Sequence, residues 1–409
     1  MPIAWRDAMS QALYGPDGFF VTGSGPADHF RTSVHASPAF ASALLRLIVE
    51  VDTALGHPYR LDVVDVGAGR GELLRALVGL AVGVSGEPAH SGRSGLIPPR
   101  SGSPETLTPP AAARPSLAER VSFTAVEYAP RPDNLPVEIN WTDEIPEGIT
   151  GMLIATEWLD NVPLDVAVHT EDGWRYVLVD PTSGTETTGG LVSPADNDWL
   201  STWWPHPTSP PRAAQSLTSS DATGESESGF GAARPAQGSS LTARSRPGCP
   251  ETPHRNHRAE IGRPRDDAWA DAIRRIDRGL AVAVDYGHLR DDRPADGTLT
   301  GYRGGRQVPP VPDGSADVTA HVAMDSVASA GAAVARCAYS LVSQREALRA
   351  LGADGGRPPL SLAGSDPAGY VRALAAASAV AELTDPVGLG GHWWLRQPVG
   401  IPLDPAVAR

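Results

Sequence analysis

Lysine is absent from all 409 residues, so the 34 basic side chains are arginines; 48 acidic ones oppose them and the net charge is −14. A chain this acidic is a poor general binder of nucleic-acid phosphates, and no nucleic-acid partner is expected. Its surface reads as a solvated acidic face, which would also attract a basic peptide. Cysteine is nearly absent. Cys249 and Cys337 give neither metal-ligand spacing nor a disulfide framework, so no metal is expected and a reduced, cytoplasmic compartment fits. No apolar run is long enough to span a bilayer, and no membrane association is expected. The opening Met1-Pro2-Ile3-Ala4-Trp5-Arg6 lacks a charged region followed by an apolar stretch, so no signal peptide is expected. The tryptophans Trp199, Trp203, Trp204, Trp393 and Trp394 lack basic neighbours and read as core or interface packing rather than a base-stacking platform.

Glycine and proline, by contrast, are plentiful, and they concentrate in two segments. One runs from about Gly86 to Pro115, the other from about Pro205 to Pro264. Both are crowded with Ser, Pro and Gly, and neither has apolar periodicity. Neither can bury enough surface to offset its ordering entropy, so both are expected to be disordered insertions. The chain then divides into an N-terminal lid or helical segment (1–60), the first part of a core (61–204), the long insertion (205–264) and the second part of the core (265–409).

Outside the insertions, strands and helices alternate. Ser37-Pro38 supplies a capping hydroxyl and a proline for a first helical turn, and Phe40, Leu44, Leu47, Ile48 and Val51 then share one face. Leu61–Val66 is a short valine-rich run, as a buried parallel strand should be. A helix over Glu72–Leu80 follows, with strands at Val121–Val126 and Gly151–Ala155. A helix over Asp266–Arg278, a strand at Leu280–Val284 and closing strands within Ala335–Val342 and Gly391–Arg396 are expected, with helices at Gln344–Leu351 and Tyr370–Leu383. The alternation predicts an α/β doubly wound sheet.

The sharpest local signal is Asp65-Val66-Gly67-Ala68-Gly69-Arg70-Gly71-Glu72, where a buried strand runs through closely spaced glycines into a helix. Glycine permits positive φ and lets a ligand approach the backbone, and ligands of such sheets sit beyond the carboxyl ends of the strands. A dinucleotide fingerprint needs a third glycine where Glu72 stands, which disfavours a nicotinamide enzyme. Gly67, Gly69 and Gly71 instead form Gly-x-Gly-x-Gly, similar to the loop of class I methyltransferases, where it approaches S-adenosyl-L-methionine. Asp65 at the strand end would orient the cofactor's amino group or water. Glu127, closing the next strand, would accept hydrogen bonds from the ribose hydroxyls.

In order along the chain, these blocks resemble the MidA-type methyltransferase family. Leu13-Tyr14-Gly15-Pro16-Asp17-Gly18-Phe19-Phe20 and Phe30-Arg31-Thr32-Ser33 open the resemblance. The glycine loop, Val126-Glu127 and Thr156-Glu157-Trp158-Leu159-Asp160-Asn161-Val162-Pro163 continue it, Thr156 standing where the family usually has Asn. Asp285-Tyr286-Gly287, Thr298-Leu299-Thr300-Gly301-Tyr302, Asp317-Val318-Thr319-Ala320-His321 and Ser343-Gln344-Arg345-Glu346 complete it. The resemblance implies a class I, Rossmann-like fold, S-adenosyl-L-methionine as cofactor and a protein substrate methylated on arginine. Mitochondrial members act in this way on a subunit of respiratory complex I. Two other readings stay open: a small-molecule methyltransferase of the same fold, and an assembly or binding protein that keeps the fold with little catalysis. The oligomeric state is not legible.

A guanidinium nucleophile must be held as a planar cation, and paired carboxylates do this. Glu157 and Asp160, three residues apart after a strand, are therefore expected to grip it; the alternative is that Asp160 caps a helix. His321 is expected to pair with a site carboxylate, to accept the released proton through water, or to orient its own loop. Asp285, at the end of an apolar strand, is expected to contact substrate or to fix Tyr286 and the loop behind it. Tyr14 is expected to form part of a lid over the cofactor, or simply to lead into the turn Gly15-Pro16-Asp17-Gly18.

Overall fold

A computed structural model describes residues 1–22, 32–84, 115–204, 257–353 and 355–402. Its centre is a seven-stranded sheet. In chain order the strands are β1 (Leu61–Val66), β2 (Val121–Val126), β3 (Ile139–Thr142), β4 (Ile149–Thr156), β5 (Ile276–Asp285), β6 (Ser340–Ser343) and β7 (Trp393–Val399). Their spatial order is β3-β2-β1-β4-β5-β7-β6. The first five strands are mutually parallel, and β7 runs antiparallel to both β5 and β6.

Both faces of the sheet are apolar, which explains why its central strands read as continuous hydrophobic runs. Met152 and Ile154 of β4 and Leu280, Val282 and Val284 of β5 point to one face. Leu153 and Ala155, with Ala281 and Ala283, point to the other. The α-helices of seven or more residues are α1 (Trp5–Tyr14), α2 (Pro38–Ala54), α3 (Glu72–Val84), α4 (Pro194–Trp203), α5 (Arg263–Arg274), α6 (Met324–Ala335), α7 (Gln344–Ala350) and α8 (Pro367–Leu383). The first face is covered by α2, α3 and α7, the second by α5 and α6. Among the described residues, no helix is long and apolar enough to cross a membrane.

A second, antiparallel sheet of five strands was not anticipated from the sequence. Ile3–Ala4, Gly173–Val179, Asp165–Thr170 and Arg258–Ile261 pair in that order, and Glu186–Leu191 joins Gly173–Val179. The N-terminal segment is thus partly built into this sheet, and Trp5, Met9 and Leu13 of α1 pack on Val166, Val177 and Val179. Trp199, Leu200 and Trp204 form another cluster with Trp174 and Ala259, so those tryptophans are core residues.

Several expected boundaries move. Residues 85–114 and 205–256, which carry most of the two insertions, lie outside the described residues, as do Phe30, Arg31 and Cys249. The expected end of the second insertion, at 264, is corrected: Arg258–Ile261 is a strand and α5 begins at Arg263. The buried carboxylate of Glu260 explains why this polar stretch is ordered, since Thr298 and Leu299 donate their amides to it. The helix expected to reach Arg278 ends at Arg274, and β5 starts at Ile276. Ala335 ends α6 rather than opening a strand; an alanine-rich stretch has helix propensity but little periodicity to reveal it. Ser37 caps α2 as expected, accepting from the Ala39 amide.

Candidate active site

The register of the sheet sets the site. Val66 lies opposite both Val126 and Ala155, and Thr156 lies opposite Val284. The carboxyl ends of β1, β2, β4 and β5 are therefore level, and the residues after them share one edge. A cavity of about 390 Å³ opens there, lined by the glycine loop, Asp65, Glu127, Thr156, Glu157, Asp160 and Tyr14.

Gly67, Gly69 and Gly71 all have positive φ, at 72°, 58° and 76°. At Gly71 the φ favours glycine, and a Cβ would also stand 2.6 Å from Leu135 Cδ1 and push that side chain aside. The loop is fixed to β2: the amides of Gly67 and Ala68 donate to the Val126 carbonyl, and Gly69 N donates to Glu127 Oε2 at 3.0 Å. Tyr128 N and Ala129 N donate to Glu127 Oε1. Three amides thus hold one carboxylate at the cavity wall with acceptor capacity to spare. Burial raises the pKa of Glu127 while these amides lower it. Asp65 is buried, and its pKa is raised well above the usual range by burial, then by Glu72 and Glu127.

Glu157 follows β4 in a left-handed conformation, φ 51°, uncommon for a residue with a side chain and a mark of a constrained turn. Its amide is tied to the Val284 carbonyl at 2.8 Å, and its Oε1 accepts from Ser33 N at 3.1 Å. Burial pushes its pKa up to about 8; the Ser33 bond opposes this and Asp160 adds to it.

Asp160 sits in a short turn, Leu159–Asn161, and is only 3% exposed. Its side chain caps no helix. Oδ2 accepts from Tyr286 Oη and from Thr319 Oγ1, the latter at 2.7 Å. Oδ1 has no partner among the described residues, and neither does the buried Oγ1 of Thr156. Burial raises the pKa of Asp160, against the hydrogen bonds and the Arg265 guanidinium. Two buried, unsatisfied oxygens beside one cavity are where a ligand's donors belong.

Two expected catalytic residues are placed differently. Asp285 is 1% exposed and does not line the cavity. Its Oδ2 accepts from Leu159 N at 3.0 Å and Asp160 N at 3.3 Å, and its Oδ1 from Tyr286 N at 2.9 Å. These bonds fix the Tyr286 amide and the turn that carries Asp160. His321 also lies outside the cavity; its ring meets the far side of Tyr286, centroids 5.1 Å apart, and burial lowers its pKa. It does not meet a site carboxylate directly. Tyr14 does line the cavity, donating to the Asn161 carbonyl at 3.2 Å and packing against Phe20 and Tyr128.

Sequence reasoning missed Arg265. This guanidinium is 1% exposed and binds the carbonyls of Asp160, Val162, Ala320 and His321. It joins the Asp160 turn to the Thr319–His321 segment. Nothing in its local sequence, an Arg-Pro-Arg-Asp helix start, distinguishes it from a surface residue.

A family described as "Putative S-adenosyl-L-methionine-dependent methyltransferase" matches residues 107–341, more than half of the chain. The chain belongs to that family, whose cofactor is S-adenosyl-L-methionine. The match begins after the glycine loop, so the loop is evidence separate from it. The fold is similar to a crystal structure from Burkholderia thailandensis bound to S-adenosyl-homocysteine, with 19% identity and a TM-score of 0.66, covering 100% of this chain and 91% of that one. It is also similar to a native crystal structure of a protein from the same organism, with 19% identity and a TM-score of 0.64, covering 99% and 90%. No curated protein matches the sequence.

Proposed function

We propose that this chain is a class I methyltransferase that transfers a methyl group from S-adenosyl-L-methionine to an arginine side chain of a protein. The observation that carries the reading is the continuity of one cavity from the glycine loop and Glu127 to the carboxylates of Glu157 and Asp160. The sheet order, with its antiparallel β7 next to β5, supports the Rossmann-like class I assignment. The near absence of cysteine supports a reduced, cytoplasmic setting.

The residues present fit the cofactor. The loop glycines leave its approach open, Glu127 offers oxygen acceptors to a ribose diol, and Leu73, Val126, Ile145 and Trp158 give apolar walls for a base. Asp143 and Glu144, after β3, add acceptors at the same wall. Bound there, S-adenosyl-L-methionine supplies a methyl group already activated on a sulfonium. The protein's part is then positioning and electrostatics. Glu157 and Asp160 hold the guanidinium by charge-assisted hydrogen bonds and concentrate its lone pair on the nitrogen facing the methyl group. The bound guanidinium lowers the pKa of Glu157 from about 8, so the carboxylate is ionised with substrate in place and takes the proton that leaves.

Titration calorimetry with S-adenosyl-L-methionine, S-adenosyl-homocysteine and NADH tests the cofactor assignment; binding of the first two alone is expected, and NADH binding would overturn it. Transfer of labelled methyl to a mixed arginine-containing peptide library, but not to the same library with lysine in place of arginine, is expected for the substrate class. Equal labelling of both would remove arginine from the reading. Glu157→Gln should bind S-adenosyl-homocysteine normally and lose transfer.

A further inference from the structure

We infer that Tyr286, together with Thr319, is a positioning residue for this reaction: the two hydroxyls occupy Oδ2 of Asp160 so that Oδ1 alone is offered to the group being methylated. The inference rests on the function proposed above for its consequence, but its geometry stands independently.

Asp160 is fixed from both ends. Its carbonyl receives Arg265 and the Ala320 amide, the latter at 3.4 Å, which holds the backbone. Its Oδ2 receives Tyr286 and Thr319, whose hydroxyl oxygens are themselves 2.7 Å apart. With the backbone and one carboxylate oxygen set, the direction of the other oxygen is set. That oxygen belongs to a residue of the cavity wall, is buried, and has no partner among the described residues.

The two positioning side chains are held in turn. Tyr286 follows β5; its amide is bound by Asp285, its carbonyl accepts from Val322 N, and its ring is flanked by His321 and His392. Thr319 is 1% exposed and ends the strand Asp317–Thr319, paired with Thr300. Neither side chain lines the cavity. They act through Asp160.

The consequence is a pair of acceptors on two different carboxylates, Asp160 Oδ1 and the capacity that Ser33 N leaves on Glu157. Such a pair suits a group with N–H donors directed to two sides better than one bidentate fork on a single carboxylate.

Removing a hydrogen bond to a carboxylate raises its pKa. The groups facing Asp160 are Glu157 and Tyr14 at the cavity, Arg265 from α5, Asp285 after β5, Asp317 from its strand, and His321 behind Tyr286. Tyr286→Phe leaves all of these in place and removes one donor.

The test is a ¹³C NMR titration of the aspartate carboxyls in the full chain, with and without S-adenosyl-homocysteine, taking as Asp160 the resonance lost in Asp160→Asn. The titration midpoint is expected to rise by roughly one pH unit in Tyr286→Phe and in Thr319→Val, and to stay at the wild-type value in Thr319→Ser. Affinity for S-adenosyl-homocysteine should stay unchanged in all three, while N-acetyl-arginine methylamide binds Tyr286→Phe about tenfold more weakly. A folded Tyr286→Phe and Thr319→Val whose Asp160 titrates as in the wild type would overturn the inference. Failure of the wild type to bind S-adenosyl-homocysteine removes the proposed function instead, and the titration without cofactor still decides the positioning role.

Discussion

Gly69 donates its backbone amide to Oε2 of Glu127, joining residues 58 positions apart in the chain. The bond couples two parts of the cavity wall, because the same glycine has φ +58° and the same glutamate lines the cavity. A change at either residue disturbs both.

Gly69→Val places a β-branched side chain in the left-handed region, at a cost of about 1–2 kcal/mol, and turns the amide away from Glu127. Loss of S-adenosyl-homocysteine binding by calorimetry is expected, with a wild-type circular dichroism spectrum. Retained affinity in a folded protein would show that the loop does not form the cofactor wall.

Glu157→Gln should change how stability depends on pH. Below about pH 4.5 the carboxyl is protonated in the folded and unfolded chain alike. Between there and its folded pKa of about 8, the unfolded chain loses the proton and the folded chain keeps it, so the wild type loses stability as pH rises. Glutamine does not titrate. The variant should gain on the wild type across that window, by on the order of 2 kcal/mol at pH 8 after allowing for partial solvent exposure. Urea melts at pH 5 and pH 8 measure the difference; an equal offset at both values contradicts the raised pKa.

Asp285→Asn keeps the size of the side chain but leaves one carboxylate oxygen's donors without an acceptor. Leu159 N, Asp160 N and Tyr286 N all depend on this group. A loss of about 2 kcal/mol is expected, seen as a Tm lower by several degrees, with S-adenosyl-homocysteine affinity largely kept because Asp285 does not line the cavity. A Tm equal to that of the wild type would mean that the loop is held by other contacts.

Deleting residues 208–254 should leave the Tm within about a degree of the wild type, since low-complexity sequence adds little to a core. The cut must stop short of Arg258, which pairs with Glu186 at 2.7 Å and belongs to the second sheet. A fall of many degrees would show a folded role for the deleted stretch.

The parallel strands were legible because burial on both faces makes them short apolar runs, and Leu61–Val66 and Val121–Val126 were read to the residue. The second sheet was not, because strands such as Glu186–Leu191 are mostly exposed and carry no apolar signal. In the site, Asp65, Gly67, Gly69, Glu127, Glu157, Asp160 and Tyr14 line one cavity, and Gly71 lies just beyond it in the same loop. Asp285 and His321 look alike in sequence, polar residues at the ends of apolar segments. Only the fold shows that one is occupied by backbone amides and the other stands behind a tyrosine. Arg265 was illegible because its four carbonyl partners come from distant segments.

Val84 ends a helix that starts at the carboxyl edge of the sheet, and Val121 begins the strand that returns to that edge. The long connection between them is therefore anchored at the opposite, amino edge. The chain can lengthen there without moving Gly69 relative to Glu127, because their separation is fixed by one strand pairing and not by the residues between them. A site of this kind is defined by a spacing between strands and not by a count of residues along the chain.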